Sequence, residues 1–258
     1  MGFLEDIVET TRAEVARRRA EVPIDDLRAR LEPAGRGRPF SEALIAPGVS
    51  LIAEVKRSSP SRGPIRPGAS VTELVRAYEA AGAAACSILT EPQFFGGSLA
   101  DLEEARAACA IPLLRKDFVV DEYQLLEARL AGADAALLIV AALDEDVLTD
   151  LLQFAHELGL DCLVEVHEED EVKVAVEAGA EIVGVNNRNL KSLQVDPETA
   201  LRLLPDIPAG TVVVAESGIS HRDDVIRLGE AGVDAILVGE AFMSAPDPGE
   251  AVRALMGA

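Results

Sequence analysis

From residue 50 onward, short apolar runs alternate with longer segments that are apolar on one side only. The runs at 50–56, 84–89, 112–116, 135–140, 161–165, 182–186, 211–215 and 235–238 have the length and composition of strands. Between and after them, 71–81, 98–109, 121–131, 144–158, 168–178, 196–204, 220–230 and 247–257 fit amphipathic helices. In the first run Leu51, Ile52, Ala53 and Val55 are apolar on both faces, as a strand covered on both sides of a parallel sheet requires. Eight strands each followed by a helix, in about 210 residues, predict an α/β chain closed into a (β/α)8 barrel, the TIM barrel.

Upstream, Leu4, Ile7, Val8 and Val15 recur at roughly helical spacing over residues 4 to 31. Pro23 divides that segment, and Ile24, Leu27 and Leu31 continue the pattern beyond it. A breaker at 33–39 and a helical turn at 40–44 follow, before Pro47-Gly48. The pattern predicts an N-terminal helical extension over 1–48 packed on a catalytic barrel at 49–258, in one structural domain.

An internal repeat favours closure over an open sheet. Ala81-Gly-Ala-Ala, Ala131-Gly-Ala-Asp, Ala178-Gly-Ala-Glu and Ala231-Gly-Val-Asp each end a predicted helix just before a strand. Their glycines are 50, 47 and 53 residues apart, one recurrence per two strand–helix units. A helix that ends in the left-handed conformation selects glycine, which has no Cβ to clash.

Composition narrows the partners. A chain of 258 residues with 49% hydrophobic and 27% charged residues is ordinary for a globular protein. The formal charge of −21 argues against nucleic acid or an anionic membrane, and leaves a local positive pocket open. The N-terminus lacks a basic region with a long apolar stretch, and the longest apolar run, 135–143, is too short to span a bilayer. The expectation is a cytoplasmic protein. Cys86, Cys109 and Cys162 lack paired spacing and read as small core hydrophobes in a reducing compartment. His156, His167 and His221 lack ligand spacing, so no metal is expected. Only four lysines stand against twenty arginines, which draws attention to Lys56 and Lys116 at strand ends.

Barrel active sites lie at the C-terminal strand ends. Those ends carry Glu54 with Lys56, then Lys116, Glu165, Asn186 with Arg188, and Glu216 with Ser217. The second and fourth strands end instead in Leu89-Thr90 and Val140. Glu54 and Lys56 share a face, and taken alone they also admit a dull alternative, a structural ion pair plugging the mouth. Lys116 fits a solvated charge cluster less well, because Leu113-Leu114 and Phe118-Val119-Val120 flank it. Glu165 lies between Val164 and Val166, where desolvation is expected to raise its pKa towards that of a useful base. Asn186 and Asn187 also suit capping of the next turn. Ser217-Gly218-Ile219 and Gly239-Glu240-Ala241 follow the seventh and eighth strands, where backbone amides commonly hold phosphate, and Ser59 in the first loop adds a hydroxyl.

These residues carry a resemblance. Glu54-Val-Lys-Arg-Ser-Ser-Pro-Ser61, Leu114-Arg-Lys-Asp-Phe118, Leu163-Val-Glu-Val-His167, Gly184-Val-Asn-Asn-Arg-Asn-Leu190 and Ala215-Glu-Ser-Gly-Ile219 resemble the motif series of indole-3-glycerol phosphate synthases. Leu89-Thr-Glu-Pro-Gln-Phe-Phe-Gly-Gly-Ser98 resembles the family's second loop, and the likeness runs in order along the whole chain.

The resemblance implies a carboxy-lyase of tryptophan biosynthesis that needs no metal or organic cofactor. Its substrate would be 1-(2-carboxyphenylamino)-1-deoxyribulose 5-phosphate, and its products indole-3-glycerol phosphate, CO2 and water. Carried across, Lys116 resembles the general acid for the ketone oxygen, and Glu165 its paired proton acceptor. Lys56 resembles the lysine that meets the substrate carboxylate, with Glu54 orienting it. Asn186, Arg188 and Glu216 match residues that position the ribulose chain and the anthranilate carboxylate. Ser59, Ser217, Gly218, Gly239 and Glu240 would hold phosphate, and Phe95, Phe118, Leu137 and Leu237 would line the ring pocket. An acid for this step needs a pKa near working pH, which a lysine among other cations reaches by lowering. Two departures stand out: Glu240 sets a carboxylate beside the phosphate, so its side chain should point away, and Asn189 receives no role. The partner implied is a small phosphorylated molecule; a monomer suffices, and association with other enzymes of the pathway stays open.

Two rivals remain at this point. A phosphoribosylanthranilate isomerase-like barrel would need a Cys/Asp pair at strand ends, and no cysteine sits at one. A non-catalytic barrel that binds a phosphorylated metabolite would keep binding after loss of Lys116.

Overall fold

The computed structural model describes residues 2–31, 37–190 and 192–257, with the side chain of residue 3 left aside. Positions 33–36 of the predicted breaker lie outside the described residues. The barrel strands are β1 (Ser50–Val55), β2 (Ala85–Leu89), β3 (Leu113–Lys116), β4 (Ala135–Ile139), β5 (Asp161–Val166), β6 (Ile182–Asn186), β7 (Val212–Glu216) and β8 (Ala235–Val238). They pair in parallel and in chain order, and β8 closes on β1. This is the predicted TIM barrel.

The helices around it are α4 (Val71–Ala80), α5 (Leu99–Ala108), α6 (Glu122–Leu130), α7 (Glu145–Glu157), α8 (Glu169–Glu177), α9 (Thr199–Leu203), α10 (Arg222–Ala231) and α12 (Pro248–Met256). Before β1 come α1 (Phe3–Glu21), α2 (Ile24–Arg30), which Pro23 caps, and α3 (Phe40–Leu44). Gly82, Gly132, Gly179 and Gly232 have φ of 92°, 90°, 87° and 105°, the left-handed conformation that the repeat predicts.

The differences from the predicted pattern are local. β7 runs on to Glu216, because Glu216 pairs with Asn186 and its carbonyl accepts from Asn187 N at 2.9 Å. A 3-10 turn at Val140–Ala142, helix α11 (Glu240–Ser244) and a small hairpin pairing Ser58–Ser59 with Gly63–Pro64 were not predicted. They are too short to show a hydrophobic period.

Side-chain alternation divides the strands between two apolar clusters. Leu51, Ala53, Val55, Leu113 and Val164 face the helices, while Ile52, Leu114, Leu163 and Val214 fill the barrel interior. Each of these interior residues is followed two positions later by a polar one: Glu54, Lys116, Glu165 and Glu216. Tracing the register round the barrel explains why these four meet. Glu54 pairs through Ser87 with Leu114, so Lys116, two residues on, stands level with Glu54. The same slip of two carries Leu114 through Ala135 and Asp161 to Leu163, Glu165 through Gly184 and Val214 to Glu216, and Glu216 through Leu237 and Ile52 back to Glu54. One interior layer, contributed by alternate strands as in barrels generally, is therefore made of a lysine and three glutamates.

The N-terminal helices belong to the same core. Leu4, Ile7 and Val8 of α1 and Phe40 and Leu44 of α3 join the interior cluster. Asp134 and Asp161, at the N-terminal strand ends, accept the backbone amides of Arg38 and Ser41 at 2.7 and 2.8 Å. On α6, Glu127 joins Arg18 of α1 to the fully buried Arg115, which also holds Asp117 at 2.8 Å. Among the described residues no helix is long and apolar enough to cross a membrane.

Candidate active site

A cavity of about 450 Å³ opens over the charged layer at the C-terminal strand ends. Its polar wall includes Glu54, Lys56, Lys116, Glu165, Asn186, Arg188 and Glu216. Its apolar wall includes Phe95, Phe118, Leu137 and Leu237, with Ser217, Gly218, Gly239 and Glu240 on the phosphate side predicted from the loops. All the predicted site residues thus come together except Ser59. That side chain is buried in the hairpin, 3.4 Å from the Ser61 hydroxyl, and is not among the described residues that line the cavity.

Lys116 Nζ donates to Glu165 Oε2 at 2.8 Å and to Glu216 Oε2 at 2.5 Å. Lys56 Nζ lies 2.7 Å from Glu54 Oε1, so Glu54 holds Lys56. Gly184 and Gly239 make the room: a Cβ on Gly184 would meet Glu216 Oε1, and one on Gly239 would approach Glu54 Oε1 to 2.6 Å.

This arrangement corrects two expected pKa directions. Burial pulls Lys116 down, but the charges of Glu165, Glu216 and Glu54 outweigh it and the net shift is upward, because its neighbours are carboxylates rather than cations. Burial pushes Glu165 up, but Lys116 and His167 outweigh it and hold the carboxyl well below the usual range. The carboxyl poised near neutrality is Glu216. Burial raises it first, Glu165 and Glu54 add to that, Lys116 opposes, and it reaches about 7.

The loops set the remaining groups. Asn186 Oδ1 accepts from Arg188 N at 3.0 Å, and Arg188 Nη1 donates to the Leu193 carbonyl at 3.0 Å. Buried Asn187 braces two loops, accepting from Ala200 N and donating to the Ser217 carbonyl at 3.0 Å. Ser217 and Gly218, which line the cavity, both take left-handed φ, 65° and 77°, a conformation that costs Ser217 about 1 kcal/mol. Gly239 starts the short helix α11. Asn189, given no role, fixes its own turn by accepting from Ser192 N.

Four contributors escaped the sequence reading. Arg62 of the first loop lines the cavity and pairs with Glu240 at 3.0 Å, so the Glu240 carboxylate is already engaged by a cation. Glu91 accepts the amides of Gln93, Phe94 and Phe95 and so shapes the loop that presents Phe95, whose ring centroid is 6.2 Å from that of Phe118. Leu190 adds apolar wall. His167 stands behind Glu165 and pairs with Glu171; their spacing of four on a helix start is the signal that was legible.

The comparisons agree with this geometry. Solved structures share the fold: the tryptophan synthase α-subunit of Pyrococcus furiosus aligns with a TM-score of 0.63 at 17% identity, over 81% of this chain and 98% of that one. A thiamine phosphate pyrophosphorylase from the same organism aligns at 0.61 and 20% identity, over 81% and 94%. In sequence, the indole-3-glycerol phosphate synthase of Streptomyces griseus subsp. griseus is 50% identical over 100% of this chain and 96% of its own. That of Nocardioides sp. is 52% identical over 100% and 99%. The profile of the indole-3-glycerol phosphate synthase family matches residues 4–255, and this chain belongs to that family.

Proposed function

We propose that this barrel closes the pyrrole ring of indole in tryptophan biosynthesis, as a carboxy-lyase acting on 1-(2-carboxyphenylamino)-1-deoxyribulose 5-phosphate. The observation that carries the reading is the lysine held between Glu165 and Glu216 in the one charged layer that caps the apolar barrel interior. Lys116 enters the reaction charged, and because the neighbouring carboxylates are what raise it, exchanging one of them for the substrate lowers its proton affinity towards that of a useful acid as the ring carbon attacks. The ketone oxygen takes the place of one carboxylate at Nζ. Glu165, held charged, acts after the ring carbon has lost its carboxylate as CO2: it accepts the proton that the methylene carbon beside the nitrogen gives up as the former ketone oxygen leaves as water.

Lys56, fixed by Glu54, meets the anthranilate carboxylate and assists dehydration. Phe95, Phe118, Leu137 and Leu237 supply the low-dielectric surround in which a carboxylate leaves as CO2 more readily. Ser217, Gly218 and Gly239 offer backbone amides to the phosphate, with Arg188 and Arg62 adding positive charge. Buried free thiols at Cys86, Cys109 and Cys162 suit a cytoplasmic setting.

The purified chain, given this substrate, should generate indole fluorescence with release of one CO2 per ring. Binding of the substrate without either signal would overturn the reading in favour of a non-catalytic binding barrel.

A further inference from the structure

His167 follows the end of β5, two positions beyond Glu165, and the backbone sends both side chains the same way. The corresponding positions beyond Glu54, Lys116 and Glu216 are Lys56, Phe118 and Gly218, and all three line the cavity. Among the described lining residues His167 does not appear, because its ring is drawn back between two carboxylates. Its Nε2 lies 3.3 Å from Glu165 Oε1, an ionic contact without hydrogen-bond geometry. Its Nδ1 lies 3.0 Å from Glu171 Oε2, which also accepts the His167 backbone amide at 2.6 Å.

A neutral imidazole would turn one acceptor nitrogen towards a carboxylate; the imidazolium presents an N–H and positive charge to both. Burial opposes that charge, yet Glu165 and Glu171 outweigh it and raise the ring to about 10. Glu165 thus spans two cations, with Oε1 towards His167 and Oε2 towards Lys116 at 2.8 Å.

We propose that His167, braced by Glu171, is a positioning residue for Glu165: it fixes one carboxylate oxygen and the group's charge, so that the other oxygen stays aimed at Lys116. This rests on the reading of Glu165 as the proton acceptor. The groups in play are Glu165 on β5, Glu171 on α8, and Lys116 on β3, with Glu216 on β7 and Glu54 on β1 acting on Lys116.

The test measures kcat and KM against pH for His167→Asn and Glu171→Gln, with Glu165→Gln as reference and thermal melting to establish folding. Removing the cation raises the proton affinity of Glu165. His167→Asn is therefore expected to lower kcat about ten-fold, to change KM less than about three-fold, and to move the acid limb of the kcat profile that belongs to Glu165, which lies below the titration of Glu216 near 7, up by about one pH unit. Glu171→Gln should move the limb in the same direction by less. A folded His167→Asn that loses activity without moving the limb would show a merely structural role and overturn the proposal. If His167→Asn does not fold, an unmoved limb in Glu171→Gln overturns it. Near-normal activity in Glu165→Gln is a separate outcome, which removes the role of Glu165 itself and the proposal with it.

Discussion

Lys116 Nζ and Glu216 Oε2 stand 2.5 Å apart, in side chains only 12% and 2% exposed. The other oxygen of Glu216, Oε1, is buried and has no hydrogen-bond partner among the described residues. One oxygen is committed to the lysine while the second waits unsatisfied, at a cost of about 1–3 kcal/mol. A donor on the substrate that reaches Oε1 would recover that cost. The pair therefore joins the proposed acid to a point of substrate recognition.

Glu216 should leave a signature in the pH dependence of stability. Its folded pKa of about 7 lies above its ordinary 4.5, so the folded chain binds this proton more tightly than the unfolded chain does. The resulting stability is fully present below about 4.5 and is lost as pH rises through about 7. Glu216→Gln should gain on the wild type by about 3 kcal/mol across that window in urea unfolding. A difference between the two that does not vary with pH would contradict the assignment.

Gly184 should tolerate no side chain without disturbing the charged layer. A Cβ there would meet Glu216 Oε1 and come within 3.0 Å of Leu163 Cδ1. Gly184→Ala is expected to cost about 1–3 kcal/mol of stability and to lower kcat more than it raises KM. Steady-state kinetics on the folded variant decide, and an unchanged kcat would show that the Glu216 carboxylate does not need its present place.

Arg115 is the buried hinge between the N-terminal helices and the strand that carries Lys116. It is 1% exposed and engages Asp117, Thr90 and Glu127, and Glu127 in turn holds Arg18. Arg115→Met should destabilise the chain by about 3–5 kcal/mol, because Asp117 and Glu127 lose a buried partner. Arg18→Ala, at a partly exposed contact, should cost about 1 kcal/mol. Equal losses in thermal or urea unfolding would argue against this ranking.

Glu240 should weaken phosphate binding unless Arg62 neutralises it. Glu240→Gln removes a negative charge from the mouth and frees Arg62, so inhibition by inorganic phosphate should tighten about two- to five-fold. Inhibition constants at low ionic strength measure this. Weaker inhibition would mean that the Arg62–Glu240 pair holds the loop in its binding shape.

The barrel was legible because its strands are continuous apolar runs, each second one announced by a left-handed glycine such as Gly82 or Gly232. The C-terminal strand ends gathered Glu54, Lys116, Glu165 and Glu216 at one mouth. What could not be read was who pairs with whom, because that depends on the register slip of two residues between alternate strands. Without it, Lys116 was set among cations and Glu165 among apolar groups, and both pKa directions came out reversed. Ser59 was wrongly included and Arg62 missed for a related reason. Only the hairpin pairing Ser58 with Pro64 buries the one and sends the other to Glu240.

The most direct test of the account is Lys116→Ala, assayed for indole fluorescence under single turnover while substrate binding is measured at equilibrium. With Lys116 as the acid, binding should stay within about ten-fold of the wild type and ring closure should fall by about 10²–10⁴-fold or more. Ring closure near the wild-type rate would contradict it.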